Sequence, residues 1–183
     1  MPAVLFDATG AEAVPDTIEA AIGFGVPLVL ATSGAEWAAH ALVRAAATQI
    51  PVVIAPNLAR GHALMMQLAR LIGAGGVEGA QLSVVDRHPP TKKDAPSATA
   101  LRLAGACGTD RIVSLRAGQP VADHQLVLKW RGETVEITHR VSSMEAPVHG
   151  ALAALEQAAR LCAPGLYSLE SPEMSGRKEG CVA

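Results

Sequence analysis

Aromatic and charged residues are scarce in this chain of 183 residues. Phe, Trp and Tyr make up 3% of the sequence, charged residues make up 17%, and the formal net charge is −2. Because the chain has no surplus of positive charge to neutralise a phosphate backbone, we do not expect a nucleic acid partner. Half of the residues are hydrophobic, which excludes a disordered or fibrous protein. With so few aromatics the interior must consist of Ala, Val, Leu and Gly, which favours helices packed on a parallel sheet.

Cysteines and long apolar runs are also few. Cys107, Cys162 and Cys181 show neither CxxC nor histidine-paired spacing, so neither a disulfide framework nor a zinc site is expected. The histidines show no metal-ligand spacing either, and we predict no metal. The sequence also lacks a signal-peptide pattern and any apolar run of about 18 residues. These absences lead us to expect a soluble, cytoplasmic protein without a membrane partner.

Strand and helix patterns alternate three times in residues 1–76. Short apolar runs predict buried strands at 3–6, 27–31 and 51–55. Helical spacing of apolar residues follows each run, over 15–24, 35–49 and 64–72. This alternation indicates parallel βα units with right-handed crossovers, and therefore an α/β protein that begins with a partial, truncated Rossmann-like segment.

The pattern changes in residues 77–170. A strand at 82–86, a polar loop at 88–95 and a helix at 96–106 come first, and β-like runs at 112–115, 124–130 and 134–141 follow without helices between them. The last two runs fit an antiparallel hairpin. With a final helix at 146–161, this part is predicted to be an α+β domain with a mixed or antiparallel sheet, followed by a polar tail at 171–183.

Three loops of the first segment carry small and hydroxylated residues. Thr9, Thr32 and Asn57 each follow a predicted parallel strand. Such loops emerge together at the carboxyl edge of a sheet, where open α/β folds bind ligands. They are therefore candidates for contact with a flat ring or a phosphate, although ordinary strand-to-helix turns have the same composition.

The segment from His88 to Thr99 is the densest in chemically active residues. Ser97 and Thr99 lie in the predicted first turn of a helix that begins at Pro96, where free N–H groups bind anions, and Lys92 supplies a cation nearby. The alternative is a helix cap beside solvated lysines. His88 on its own fits a structural or exposed histidine as well as a catalytic one.

The segment V-V-D-R-H-P-P-T-K-K-D-A-P-S-A-T-A, residues 84–100, resembles the substrate-binding signature of dihydrodipicolinate reductases, E-x-H-H-x-x-K-x-D-A-P-S-G-T-A. Further segments agree in order with that family: F-D-A-T at 6–9 with its D-F-T turn, A-T-S-G at 31–34 with G-T-T-G, and I-A-P-N at 54–57 with A-P-N. Residues 116–124 are similar to R-x-G-x-x-x-G-x-H, and 164–167 match the closing P-G-L-Y. The resemblance covers nearly all of residues 3–170.

The resemblance implies roles for individual residues. His88 matches the family's proposed proton donor and Lys92 its lysine, whereas Ser97 and Thr99 match hydroxyl residues that hold a substrate carboxylate. Ala98 replaces the glycine of the substrate-binding turn. Pro89 also stands where a second histidine belongs, and a changed substrate is therefore expected. Thr9, Thr32 and Asn57 would be vestigial contacts of a nicotinamide ring.

The family's glycine-rich turn for the dinucleotide phosphates has no counterpart in the sequence. Residues 73–76 are glycine-rich but follow a predicted helix rather than a strand. The resulting expectation is a truncated homologue that binds NAD(P)H weakly or not at all. It would act on a small carboxylated cyclic or imine-like substrate by proton transfer, as a cyclase, lyase or isomerase. The alternatives are an NAD(P)H-dependent reductase of the lysine pathway and a non-catalytic scaffold. The family also implies that residues 77–170 bind the substrate and form the contacts of a homo-oligomer, a homotetramer.

Overall fold

The computed structural model describes residues 3–33, 36–75, 77–118 and 121–170. The chain divides into two compact units: unit 1 combines Met1–Leu58 with Pro147–Ala183, and unit 2 comprises Ala59–Ala146. This division differs from the expected boundary after residue 76, because the helix before that boundary packs in unit 2. The expected polar tail at 171–183 lies outside the described residues. None of the described helices combines the length and apolar character required to cross a membrane.

Unit 1 contains a four-stranded parallel sheet in the order β1-β2-β3-β8. Its elements are β1 Leu5–Asp7, α1 Val14–Phe24, β2 Leu28–Leu30, α2 Ala41–Ala46, β3 Pro51–Ile54, α5 Glu145–Ala158 and β8 Gly165–Ser168. Every residue of β2 and β3 is buried, as expected for strands covered on both faces. The predicted parallel βα segment is confirmed.

Two parts of unit 1 differ from the predicted elements. The helix expected over 35–49 is shorter, since a 3₁₀ turn at Trp37–Ala39 ends at His40, whose extended backbone precedes α2. The P-G-L-Y segment forms β8, which pairs with β3 through the register Val53 to Tyr167. A strand contributed from so far along the chain has no local signal, because its pairing depends on tertiary contacts.

Unit 2 is an α+β unit with a mixed sheet in the order β5-β4-β6-β7. Its elements are α3 Arg60–Gly73, β4 Gln81–His88, α4 Ala98–Cys107, β5 Ile112–Arg116, β6 Ala122–Trp130 and β7 Glu133–Val141. β4 and β5 are parallel, whereas β6 runs antiparallel to β4 and β7. The predicted hairpin is therefore confirmed. Met65 and Met66 of α3 share a core with Leu103 of α4 and Leu126 of β6, which explains why α3 belongs to this unit.

Two of the three cysteines lie among the described residues. Cys107 is buried and unpaired, and burial raises the pKa of its thiol to about 11, so the thiol stays protonated at neutral pH.

The contact between α3 and α4 depends on a glycine. A Cβ atom added at Gly73 would collide with the carbonyl oxygen of Ala106, whereas a Cβ atom at Gly105 would meet nothing within 4 Å. We expect Gly73→Ala to lower the free energy of unfolding by about 1–3 kcal/mol because a backbone atom must move. Gly105→Ala is the matched control and should raise it by up to about 1 kcal/mol, since alanine favours a helix interior. Urea denaturation measures both, and equal effects of the two substitutions would contradict the packing described.

Candidate active site

The carboxyl end of β4 and the start of α4 carry several buried polar side chains of unit 2. Val84, Asp86 and His88 are buried at alternating positions of β4, so their side chains share one face of the sheet. The helix begins at Ala98 rather than at Pro96, and the expected start is wrong by two residues. Ser97 is the N-cap, since its hydroxyl accepts a hydrogen bond from the N–H of Ala100 at 3.1 Å.

Asp86 lies at the centre of this region and is fully buried. Its Oδ1 accepts a hydrogen bond from the hydroxyl of Ser97 at 2.9 Å and lies 2.8 Å from Nδ1 of His88. Its Oδ2 accepts from the N–H of Ser97 at 3.0 Å, from the hydroxyl of Ser114 at 3.1 Å and from Nη2 of Arg116 at 2.9 Å. One carboxylate therefore joins β4, β5 and the start of α4.

The contacts of Asp86 decide its charge. Burial by itself would raise the pKa of this carboxyl, but the hydrogen bonds from Ser97 and Arg116 and the field of His88 outweigh it and lower the pKa to about 2. Asp86 is thus ionised at neutral pH. It acts as an acceptor and a fixed negative charge, not as a proton donor.

Two buried histidines lie beside this carboxylate. The rings of His88 and His124 meet edge to face with centroids 5.1 Å apart, and Nε2 of His124 lies 3.2 Å from the hydroxyl oxygen of Ser97. Burial lowers the pKa of His88, Asp86 opposes the shift, and Lys92 adds to it. Burial and the nearby His88 lower the pKa of His124 to about 4. The two rings have little tendency to carry a positive charge at neutral pH.

The other predicted substrate-binding residues lie at the start of α4 and in the preceding loop. Nζ of Lys92 lies 2.8 Å from Oδ1 of Asp94 and remains about one-third exposed. Ala98 is exposed and Thr99 is half-buried in the first turn of α4. The hydroxyl and the N–H of Ser97 both contact the buried carboxylate, so this residue joins the helix start to β4. That Ser97 also binds a substrate stays a prediction.

Sequence reasoning assigned no role to Asp86, Ser114 or Arg116. The signal for Asp86 is its position two residues before His88 on a strand, which places both side chains on one face. The signature matched to residues 84–100 begins with an acidic residue at the position of Asp86. The separate pattern R-x-G-x-x-x-G-x-H begins with an arginine at the position of Arg116 and ends at His124, but only the pairing of β6 with β4 brings His124 opposite Asp86.

Unit 1 contains a second buried carboxylate, at the end of β1. Oδ1 of Asp7 accepts hydrogen bonds from the N–H of Thr9 at 2.9 Å, from its hydroxyl at 2.7 Å and from the hydroxyl of Thr32 at 2.6 Å. The carbonyl of Thr32 accepts from the indole N–H of Trp37 at 2.8 Å. The hydroxyl protons of both threonines are therefore used to shape the loops after β1 and β2.

These loops meet part of the requirements of a nicotinamide cofactor. Thr9, Thr32 and Asn57 follow β1, β2 and β3, which are neighbours in one parallel sheet, so the three residues lie at the same edge. Oδ2 of Asp7 is buried and has no hydrogen-bond partner among the described residues, which leaves one acceptor position open. Among those residues, however, no strand leads through a G-x-G-x-x-G turn into a helix, and Gly73 ends α3 as expected. The described residues thus offer polar groups at one edge of the sheet, whereas none of them is assigned to the phosphates.

Asp86, His88 and His124 also have the composition of a metal site, with one ligand atom of each lying within 4.8 Å of the others. The surrounding charges oppose a cation at this place. The guanidinium of Arg116 already neutralises the carboxylate at 2.9 Å, and both carboxylate oxygens accept hydrogen bonds. Among the described residues, the positive charge beside this carboxylate is therefore already supplied by Arg116.

Comparisons with known proteins give one consistent family. The model of the N-terminal region of dihydrodipicolinate reductase matches residues 2–58, and that of the C-terminal region matches residues 61–171. The 4-hydroxy-tetrahydrodipicolinate reductase of Thiobacillus denitrificans is 36% identical over 191 residues, a match that covers 91% of this chain and 71% of that protein. The enzyme of the same name from Rubrobacter xylanophilus is 32% identical, with 85% and 69% covered.

A solved structure has the same fold. A dihydrodipicolinate reductase from Paenisporosarcina sp. TG-14, determined with dipicolinate bound, superposes with a TM-score of 0.76 and covers 92% of this chain and 73% of that one. The two sequences are 22% identical. The α/β architecture of a parallel sheet and a second, mixed sheet is thereby confirmed.

The neutral, buried His124 predicts an acid-sensitive fold. The unfolded chain takes up this proton near pH 6.5, whereas the folded chain does so only near pH 4, so stability falls as the pH drops through that range. Between about pH 7.5 and pH 5 this residue should reduce the free energy of unfolding by about 2 kcal/mol. In His124→Gln the dependence on pH should be weaker by that amount, as measured by urea denaturation at both pH values. An unchanged slope in the variant would contradict the assignment.

Proposed function

Since the chain belongs to the dihydrodipicolinate reductase family, we propose that it reduces a small cyclic, imine-like dicarboxylate with NAD(P)H. The relatives are named 4-hydroxy-tetrahydrodipicolinate reductases, and the proposed substrate class follows that name. The observation that carries the proposal is the buried Asp86–His88 pair, which lies on β4, the strand that precedes α4 in the chain. The relatives are named reductases and match up to 91% of this chain. They support this activity better than the cofactor-independent proton transfer expected first.

The substrate carboxylate is proposed to bind at the start of α4. The first N–H groups of a helix lack intrahelical partners and carry partial positive charge, which suits an anion. Ala98 is exposed at this turn, Thr99 follows it, and Lys92 contributes an ammonium group that lies close enough to His88 to lower its pKa. The preference for dipicolinate-like compounds is taken from the ligand of the structurally similar reductase.

His88 is proposed as the proton donor. It must first be protonated, and its lowered pKa makes the imidazolium a stronger acid than an ordinary histidine. NAD(P)H, when bound, supplies the hydride. Thr9, Thr32 and Asn57 shape the edge at which its ring would bind, and we propose weak binding by the 183-residue chain, since no described residues are assigned to the phosphates.

Reductase activity is tested with 4-hydroxy-tetrahydrodipicolinate generated in the cuvette and either NADPH or NADH, followed at 340 nm. We expect oxidation of the cofactor, with kcat about 10²-fold lower in His88→Ala. Loss of substrate without oxidation of the cofactor would instead support the cyclase, lyase or isomerase hypothesis. If wild-type and variant are both inactive, the scaffold hypothesis gains support and the proposed function fails.

The carboxylate site gives a separate prediction. Lys92→Ala should raise the Kd for dipicolinate by about 10- to 150-fold, equivalent to about 1.5–3 kcal/mol, because a hydrogen bond to a charged group is lost. Lys93→Ala is the matched control: Lys93 is the exposed neighbour, and its removal should leave the Kd unchanged. Calorimetric titration measures both, and Tm should change little in either variant. Equal affinity of Lys92→Ala and the control would contradict the site.

Assembly and location stay proposals. We propose a homotetramer formed through unit 2, in which Val113 and Leu115 of β5 are exposed large apolar side chains. Light scattering should then give about 75 kDa, four times the 18.8 kDa of one chain. A mass of one chain at working concentrations would overturn the proposal. A cytoplasmic location is proposed from the biosynthetic relatives.

A further inference from the structure

The contacts of Asp86 involve two different kinds of group. Ser97, Ser114 and Arg116 connect the carboxylate to neighbouring elements, which is a structural role. His88 does not connect elements in this way, since it lies two residues along the same strand. The distance of 2.8 Å between its Nδ1 and Oδ1 of Asp86 therefore points to a role other than holding structural elements together.

The short distance between Nδ1 of His88 and Oδ1 of Asp86 determines which ring nitrogen remains available to a substrate. A carboxylate only accepts hydrogen bonds, so the nitrogen beside it must carry the proton. Nδ1 is buried and lies at ion-pair distance from Oδ1 of Asp86, without the geometry of a hydrogen bond. Catalytic hydrogen bonds are often poorly aligned before a substrate binds and tighten in the complex. Nε2, on the opposite side of the ring, is then the atom that exchanges a proton with a substrate.

We propose that Asp86 is a positioning residue for the proposed reductase reaction: its carboxylate keeps the neutral His88 ring protonated on Nδ1, leaves Nε2 for the substrate and ties this ring to the helix start that binds the substrate carboxylate. The proposal rests on the proposed function for its catalytic consequence. Asp86 itself does not transfer a proton, because three residues of unit 2 hold it ionised.

The charges around His88 make this carboxylate necessary. Burial, Lys92 and Arg116 all oppose protonation of the ring, and Asp86 is the nearest group that favours it. Asp94 also favours protonation, but its side chain is half-exposed and paired with Lys92. Without Asp86, His88 would lie among groups that disfavour the imidazolium needed for proton donation.

The test compares Asp86→Asn, which keeps the shape and removes the charge, with Asp86→Glu, which keeps the charge. Asp110→Asn is the matched control, since Asp110 is an exposed aspartate of the same unit. In Asp86→Asn we expect a lower His88 pKa in a ¹H–¹⁵N NMR titration and a kcat at least tenfold lower with a smaller change in KM. The alkaline limb of the kcat profile, where deprotonation of His88 removes the proton donor, should move to lower pH. Asp86→Glu should restore part of kcat, and the control should behave as wild type.

A purely structural role would give different results. An Asp86→Asn protein that folds, binds dipicolinate and keeps the His88 pKa of the wild type would overturn the proposal. If this variant does not fold, the proposal is tested on the wild-type protein only. The ¹⁵N shifts of neutral His88 are then expected to show the proton on Nδ1. A proton on Nε2 would overturn the proposal. These NMR results do not depend on turnover. An inactive wild type with the expected tautomer and pKa would therefore reject the proposed function and leave the positioning of His88 standing.

Discussion

A buried negative charge organises the candidate site. Removing a carboxylate from water costs several kcal/mol unless its oxygens are satisfied, and in this unit the partners of Asp86 come from β4, β5 and the start of α4. The arrangement of those elements is therefore linked to the ionisation of a single side chain. The same contacts bring the catalytic candidate His88 and the helix start into one region.

The sequence pattern predicted where helices and strands lie better than it predicted which of them pair or pack with one another. Apolar runs and helical spacing located β2, β3, α1 and α4 to within a few residues, because buried strands and amphipathic helices have local signals. β8 and the attachment of α3 to unit 2 were not predicted, since both depend on side chains distant in sequence, such as Tyr167 beside Val53 and Met65 beside Leu103.

The residues of the candidate site likewise divide into those that a local sequence pattern reveals and those that only strand pairing brings together. His88, Lys92, Ser97 and Thr99 were recognisable because they form one short segment at the start of a helix. Arg116 and His124 reach the site through the pairing of β4 with β5 and β6, which no local pattern reveals. The structure also changes the interpretation of hydroxyl groups: Ser97, Thr9 and Thr32 donate to buried carboxylates, whereas the sequence suggested ligand contacts.

The charge of Asp86 can be observed directly by ¹³C NMR of aspartate carboxyl groups, with the signal assigned through its loss in Asp86→Asn. Over the pH range in which the amide spectrum remains that of the folded chain, the signal should stay at the position of an ionised carboxylate down to about pH 4, because the pKa is lowered to about 2. An exposed aspartate should already move over the last unit of that range. A signal from Asp86 that titrates at or above the ordinary pKa of 3.8 would contradict the account, since its partners would then not hold the charge.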